Sequence, residues 1–298
     1  MRTGLFLFPN NIDTFIADVK AAAADGFPSV WIPQIFGHDA LTMLALAGRE
    51  VPGIELGTAV VPTYPRHPMM LAQQALTTNT ACGGRFTLGI GLSHQIVIEG
   101  MYGMSFDKPA IHMRDYLTIL TGLLRDRKIS YTGKTLTARG QIDVGGAPAE
   151  GPKVLIAALA PKMLELAGSV ADGTITWMTG PDTVGSHINP TMRAAAEKAG
   201  RAQPRTVVGL PICVTDDAAA ARARAATEFA MYGQLPSYRA MLDKEGAGGP
   251  ADVAIIGDEA EVRAGIERIA ACGADDFVAS AFGSSEEKDR TRALLRTV

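Results

Sequence analysis

Short apolar runs alternate along this chain with stretches whose apolar residues recur at helical spacing, and the alternation repeats eight times. The runs are Leu5–Phe8, Ser29–Pro33, Ile54–Val61, Phe86–Gly91, Val154–Ala158, Thr174–Met178, Val207–Val214 and Asp276–Ser280. Each is four to eight residues long, the length of a buried strand. Between them Ile12, Phe15, Ile16 and Val19 share one helix face, and Leu41–Ala47 forms the next helix. Pro68 and Pro161 each open a helix, because proline suits a first turn. Further helices are read over Arg114–Arg125, Met192–Lys198, Asp216 to about Met231, and Glu286–Leu295. Asp258 and Glu261 stand at capping-box spacing before Val262, Ile266 and Ile269.

Eight strands, each followed by a helix, predict an α/β fold with a parallel sheet. Eight is also the number that closes a (β/α)8 TIM barrel. The rival is an open doubly wound sheet, but no GxGxxG with a following acidic residue opens the chain. We therefore expect one barrel domain over 1–298 with insertions at its C-terminal face. The rhythm breaks over 99–150 and 230–252, and Gly233–Pro250 reads as irregular. Irregular segments of this length are either active-site lids or solvated loops.

Composition excludes several classes. At 47% hydrophobic residues over 298 positions, the chain buries a large core and is not disordered. A net charge of −3 gives no general attraction to nucleic acid or to an anionic membrane. Cys82, Cys213 and Cys272 are far apart, and they suggest neither a disulfide framework nor a zinc site. The apolar start at Leu5–Phe8 stops at Pro9-Asn10-Asn11, too short for a signal peptide, and no apolar run reaches membrane-spanning length. The expectation is a cytoplasmic protein with a small-molecule partner.

In such a barrel, chemistry belongs at the C-terminal ends of the strands. Those ends carry Pro9-Asn10, Gln34, Val61-Pro62-Thr63, Ser93-His94, Ala158-Leu159, Trp177-Met178-Thr179, Val214-Thr215 and Ser280. There is no lysine among them, since Lys153 begins its strand, and Asp216 and Asp217 read better as helix caps. His38, His67, His94, His112 and His187 show no metal-ligand spacing, so no metal is expected. A mouth without these tools suits a reaction whose reactive atom belongs to an organic cofactor, with hydride transfer as the obvious class. His94 is either a hydrogen-bond donor or proton relay or a satisfied loop histidine. Gly89 and Gly91 bring the backbone close to a flat ligand or simply allow close packing. Ala157–Pro161 is a phosphate-binding helix start or an ordinary short loop. Trp177 and Met178 face a ring system or fill the core. Arg66-His67 either contacts an anion or faces solvent.

Four motifs carry a resemblance. They are Ser29–Phe36 (SVWIPQIF), Gly57–Pro68 (GTAVVPTYPRHP), Gly83–Gly91 (GGRFTLGIG), and Ala158–Gly168 (ALAPKMLELAG) with Ala171-Asp172-Gly173. In this order and spacing, the chain resembles the luciferase-like monooxygenase superfamily, specifically its coenzyme F420-dependent oxidoreductases of the methylenetetrahydromethanopterin reductase type. The resemblance implies a TIM barrel, usually a homodimer, with the deazaflavin at the C-terminal face. It implies a non-proline cis peptide at Ala59–Val60, supporting the ring from behind, and a phosphate site at Ala158, Leu159 and Ala160. Gly91, Ser93, Trp177, Met178 and Thr179 complete the expected cofactor set. Tyr64, His112 and Tyr232 are the expected substrate contacts, with Tyr102 and Phe106 near them. Many relatives carry an aspartate where this chain has Gln34 and an acidic residue near His94, so those two are the expected catalytic positions.

The function implied is hydride transfer between the deazaflavin C5 and an unidentified organic substrate. The alternatives are an FMN-dependent monooxygenase on the same barrel and a non-catalytic deazaflavin-binding protein, with a metal-dependent hydrolase more distant.

Overall fold

In the computed structural model, which describes residues 1–298, the predicted strands join into one parallel ring. They are β1 (Arg2–Phe6), β2 (Ser29–Ile32), β3 (Glu55–Thr58), β4 (Phe86–Gly91), β5 (Lys153–Ile156), β6 (Gly173–Trp177), β7 (Arg205–Val214) and β8 (Asp276–Ala281). Each pairs in parallel with its neighbour in sequence, and β8 returns to β1 with Asp276 opposite Arg2. The ring is therefore the TIM barrel expected from the alternation, and the open sheet is excluded. Outward-facing Leu5, Val30, Ile32, Leu56, Leu88, Ile156, Val208 and Leu210 pack in the main core with apolar residues of the surrounding helices. Asn11, Asp39, Asp217, Asp258 and Ser284 cap their helices through side-chain oxygens, and Asp258 and Glu261 form the expected capping box.

Several boundaries differ from expectation. The first strand lies at Arg2–Phe6, three residues earlier than Leu5–Phe8 at its start, because Arg2 pairs across the barrel floor. The third run is not continuous: β3 ends at Thr58, and a separate pair of residues, Val61–Pro62, continues along β4. The region 99–150 contains a helix extended to Pro109–Asp126 and an unexpected antiparallel hairpin, Lys128–Thr132 with Thr137–Gln141. Buried Asp115 holds that hairpin, accepting from Tyr131 Oη at 2.8 Å and from Thr135 N and Oγ1 at 2.7 and 2.8 Å. The segment Gly233–Pro250 is not irregular. It is helical at Ala230–Gln234, Pro236–Glu245 and Pro250–Val253, and the preceding helix stops at Glu228 instead of running to Met231. A short strand, Ile255–Gly257, then pairs with the end of β7.

The barrel interior forms its own small cluster of Phe6, Trp31, Leu155, Ile175, Val207 and Val278, all from alternate positions on the strands. Two tryptophans are too large for a uniformly filled barrel, and glycine on neighbouring strands makes the space. A Cβ on Gly57 would overlap the Trp31 ring, and one on Gly209 would press on the Thr176 carbonyl and on Trp177. The N-terminal end is closed by an ion cage. Arg205 reaches Glu55 Oε1 and Asp276 Oδ2, each at 2.7 Å. Arg2 lies 2.9 Å from Glu55 Oε2 and forms an ion pair of 2.6 Å with Asp276 Oδ1 that lacks hydrogen-bond alignment. Burial raises the Glu55 pKa, but Arg205, Thr87 and Arg2 outweigh it and hold the carboxyl below its ordinary value.

Gly57→Ala should therefore lower stability by about 1–3 kcal/mol through overpacking against Trp31. Gly37→Ala, where a Cβ meets nothing within 4 Å, serves as the comparison. Urea unfolding of both variants checks this, and equal midpoints would contradict it.

Candidate active site

The break after β3 shapes one wall of the barrel mouth. The Ala59–Val60 peptide is cis, as the resemblance implies. Where the regular ladder stops, Thr58 joins β3 to β4: its Oγ1 donates to the Gly89 carbonyl and accepts from Gly89 N, both at 2.8 Å. Glycine is required opposite this turn. A Cβ on Gly89 would strike the Thr58 carbonyl, and one on Gly91 would strike Val60. Ala59 and Val60 pack on the interior cluster, so the wall is apolar, small and close to backbone.

Two aromatic groups stand beyond this wall. In the first, Tyr64 stacks on His112 with centroids 4.0 Å apart and an interplanar angle of 6°, and on Phe106 at 5.2 Å. His112 Nε2 lies 3.1 Å from Thr63 Oγ1, which ties the Pro109–Asp126 helix to the loop after β3. In the second, Trp177 stacks on Phe6 at 5.2 Å and meets Phe229 and Tyr232 edge-on at 6.4 and 6.0 Å. Tyr232 meets Tyr238 at 5.3 Å, and Tyr238 lies 5.8 Å from the His94 ring. The helices at 230–245 therefore lean over the mouth and carry aromatic rings to His94 and Trp177. Tyr238 and Phe229 are absent from the expected site. The signal of Tyr238 was hidden because Gly233–Pro250 reads as irregular, whereas Phe229 falls in the helix expected to about Met231 and nothing in the sequence marks it as facing the mouth.

The remaining expected residues lie at the strand ends. Ser93 and Met178 adopt left-handed backbone with φ of 60° and 51°, redirecting the chain after β4 and β6. Thr179 Oγ1 donates to the Trp177 carbonyl at 3.2 Å. His94 precedes the short helix Gln95–Gly100 and makes no capping bond, so its side chain is not spent on the helix. Gln34 is partly committed: its Oε1 accepts from Ala40 N at 2.7 Å, at the start of the Ala40–Glu50 helix, leaving its amide nitrogen as the group it can offer. Arg66 neither faces solvent alone nor awaits an anion, because it pairs with Asp39 and Gln74. The Ala158–Ala160 loop opens the Pro161–Ser169 helix, whose N-cap, Ala160, supplies no side-chain bond. His187 Nε2 lies 2.9 Å from the Leu159 carbonyl and holds this loop. No protein acceptor takes the Leu159 or Ala160 N–H.

The electrostatics are those of neutral groups. Burial lowers the His94 pKa, so its imidazole is uncharged at neutral pH. Burial also drives His112 down to about 4, with Asp115 opposing, and pushes Tyr64 up to about 12 with Asp107 and Glu99 adding to it. Tyr64 Oη and Trp177 Nε1 are buried without a hydrogen-bond partner. Such orphans are costly unless a ligand satisfies them. No group of three or more His, Cys, Asp or Glu side chains is gathered to hold a metal ion. A flat wall, unpaired donors at its edge and a bare helix start fit a planar polar ring carrying a phosphate.

The family model described as luciferase-like monooxygenase matches residues 1–296. A Mycobacterium tuberculosis protein provisionally named as a coenzyme F420-dependent oxidoreductase is 31% identical over 232 residues, covering 72% of this chain and 67% of that one. The 5,10-methylenetetrahydromethanopterin reductase of Methanolobus tindarius is 29% identical over 234 residues, covering 77% and 70%. Among solved structures, the coenzyme F420-dependent tetrahydromethanopterin reductase of Methanopyrus kandleri superimposes with a TM-score of 0.82 at 21% identity, covering 99% and 96% of the two chains.

The His112 environment predicts a pH dependence. In the unfolded chain its imidazole takes a proton near the ordinary 6.5, but in the folded protein only near 4. The unfolded state binds more protons across that window, so this group makes stability fall as pH drops from about 6.5 towards 4. His112→Phe should flatten that part of the profile in urea titrations, and an unchanged slope would contradict the assignment.

Proposed function

This chain belongs to the luciferase-like monooxygenase family, and we propose that it is a coenzyme F420-dependent oxidoreductase acting on an organic substrate. The observation that carries this reading is the barrel mouth, which combines the small apolar wall at Val60 and Gly91, Trp177 Nε1 without a well-formed hydrogen bond, and a helix start with no side-chain cap. Names of the relatives point the same way.

When bound, the coenzyme supplies a deazaflavin ring that exchanges a hydride with the substrate. The residues proposed to hold it are Ala59, Val60, Gly91, Ser93, Trp177, Met178 and Thr179 around the ring, and Ala158, Leu159 and Ala160 at the phosphate. The free N–H groups of Leu159 and Ala160 and the helix dipole favour an anion there. We assign to His94, which makes no capping bond, the role of holding or accepting a proton at a substrate oxygen. Gln34 offers only an N–H donor, so it orients an acceptor atom. We assign the Trp177, Tyr232 and Tyr238 group and the Tyr64 and His112 group to the walls of the substrate space.

Fluorescence titration with coenzyme F420 and with FMN tests the reading. Binding of coenzyme F420, with reoxidation of its reduced form by an organic acceptor, is the expected outcome. Tight FMN binding with oxygen consumption would replace this reading by the monooxygenase one. Failure of any acceptor to reoxidise bound coenzyme would favour a binding protein without catalysis. His94→Ala should reduce turnover by about 10²-fold or more, the scale of a lost proton-transfer group, with coenzyme affinity nearly unchanged.

Ala160→Asp separates stability from binding. The new carboxylate caps the Pro161–Ser169 helix and should stabilise the fold by about 1 kcal/mol. It should also weaken coenzyme binding by about fivefold or more, since a like charge beside phosphate costs about 1 kcal/mol even in bulk water. Loss of stability together with unchanged binding would place the phosphate elsewhere.

A further inference from the structure

The exposed apolar side chains of this protein are concentrated around the barrel mouth. Phe8 follows β1, Ile35 and Phe36 follow β2, Ile96 and Met101 follow β4, and Met231 lies beyond β7, with exposures from 51% to 74%. Beyond the loops at this end, the other large apolar side chains that stand exposed are Met1 and Val298 at the termini and Ile12, Leu46 and Met70 on outer helices. Single exposed apolar residues are ordinary, but a collection around one opening marks a binding surface.

This rim continues into the site. Phe8 lies 5.2 Å from Phe6, which stacks on Trp177. Met231 adjoins Tyr232, which meets Trp177 edge-on. Ile96 is on the short helix that begins after His94. At the base, the polar groups are the neutral imidazole of His94, the phenols of Tyr232 and Tyr238 beside it, and Trp177 Nε1. The strand ends carry no lysine or arginine, and Arg66 in the loop after β3 is consumed by Asp39. The positive charges nearest the opening are then the exposed Lys108 and Lys162 at helix starts, outside the ring of strand ends, while an apolar substrate finds surface to cover.

We propose that the substrate is an apolar organic molecule with a single alcohol or carbonyl group, its polar end at His94 and its hydrocarbon body on the rim formed by Phe8, Phe36, Ile96 and Met231. The assignment of the polar end rests on the oxidoreductase reading above, whereas the hydrocarbon contact does not.

A series of 2-alkanones from 2-butanone to 2-decanone, titrated into the protein without coenzyme and followed by tryptophan fluorescence and calorimetry, tests this. Each added methylene should tighten binding by about three- to fourfold while the rim still has surface to cover. Ile96→Glu and Met231→Glu should abolish that dependence on chain length, and Met70→Glu, on an outer helix, should leave it intact. Dissociation constants that do not vary along the series, or an equal loss in Met70→Glu, overturn the proposal. A wild-type oligomer that Phe36→Glu splits in sedimentation, or phosphatidylcholine vesicle binding that Ile96→Glu removes, also overturns it by giving the rim to a second copy or to a membrane. Coenzyme F420 binding is read separately from its own fluorescence. Chain-length dependence without coenzyme binding removes the oxidoreductase reading and keeps the apolar site, and coenzyme binding with a flat series does the reverse.

Discussion

The fold depends on filling a closed ring of eight parallel strands with side chains of very unequal size. Trp31 and Trp177 occupy the barrel interior only because Gly57 and Gly209 stand beside them without a Cβ. The same exchange of large for small recurs at the mouth, where Val60 fits because Gly89 and Gly91 give way. Close packing leaves little tolerance, so the wall offered to a ligand is set by residues that are also structural. At the opposite end the order is electrostatic: Arg2, Glu55, Arg205 and Asp276 satisfy one another across four different strands. Arg205 also lies 5.5 Å from the Trp31 ring centre, so the cage and the apolar interior meet directly.

The site gains its neutral character in the same way. Two carboxylates near the mouth are satisfied by partners in the fold. Asp39 caps the Ala40–Glu50 helix and holds Arg66, and Asp115 is surrounded by donors from the hairpin. What remains is imidazole, phenol, indole and amide. Groups of this kind orient and shape a ligand more than they attract it by charge. That balance suits a protein in which a bound organic group brings the reactive atom.

The barrel strands were legible in the sequence because each is a short apolar run bounded by helical spacing, and the Phe86–Gly91 run matches its strand to the residue. The capping residues Asp258 and Glu261 and the prolines 68 and 161 also marked true helix starts. The errors have physical causes. Arg2 is polar, so β1 looked shorter at its start, yet its charge is taken up inside the ring. The hairpin at 128–141 alternates exposed and half-buried residues with few large apolar side chains, because buried Asp115 shares the anchoring with the packing of Ile129, Tyr131 and Ala138 on the core. The glycines between Gly233 and Pro250 masked three helices that tertiary contacts support. For the site, the cis peptide at Ala59–Val60 was readable from the motif around it. The approach of Tyr238 to His94 was not, because it joins elements 144 positions apart and depends on how the 230–245 helices fold back.

The ion cage at the base of the ring has a kinetic consequence. With Arg2, Arg205, Glu55 and Asp276 sealing that end, the barrel has one doorway. A ligand at the Val60 wall would therefore enter and leave by the same opening, the one lined by Trp177, Tyr232 and Tyr238.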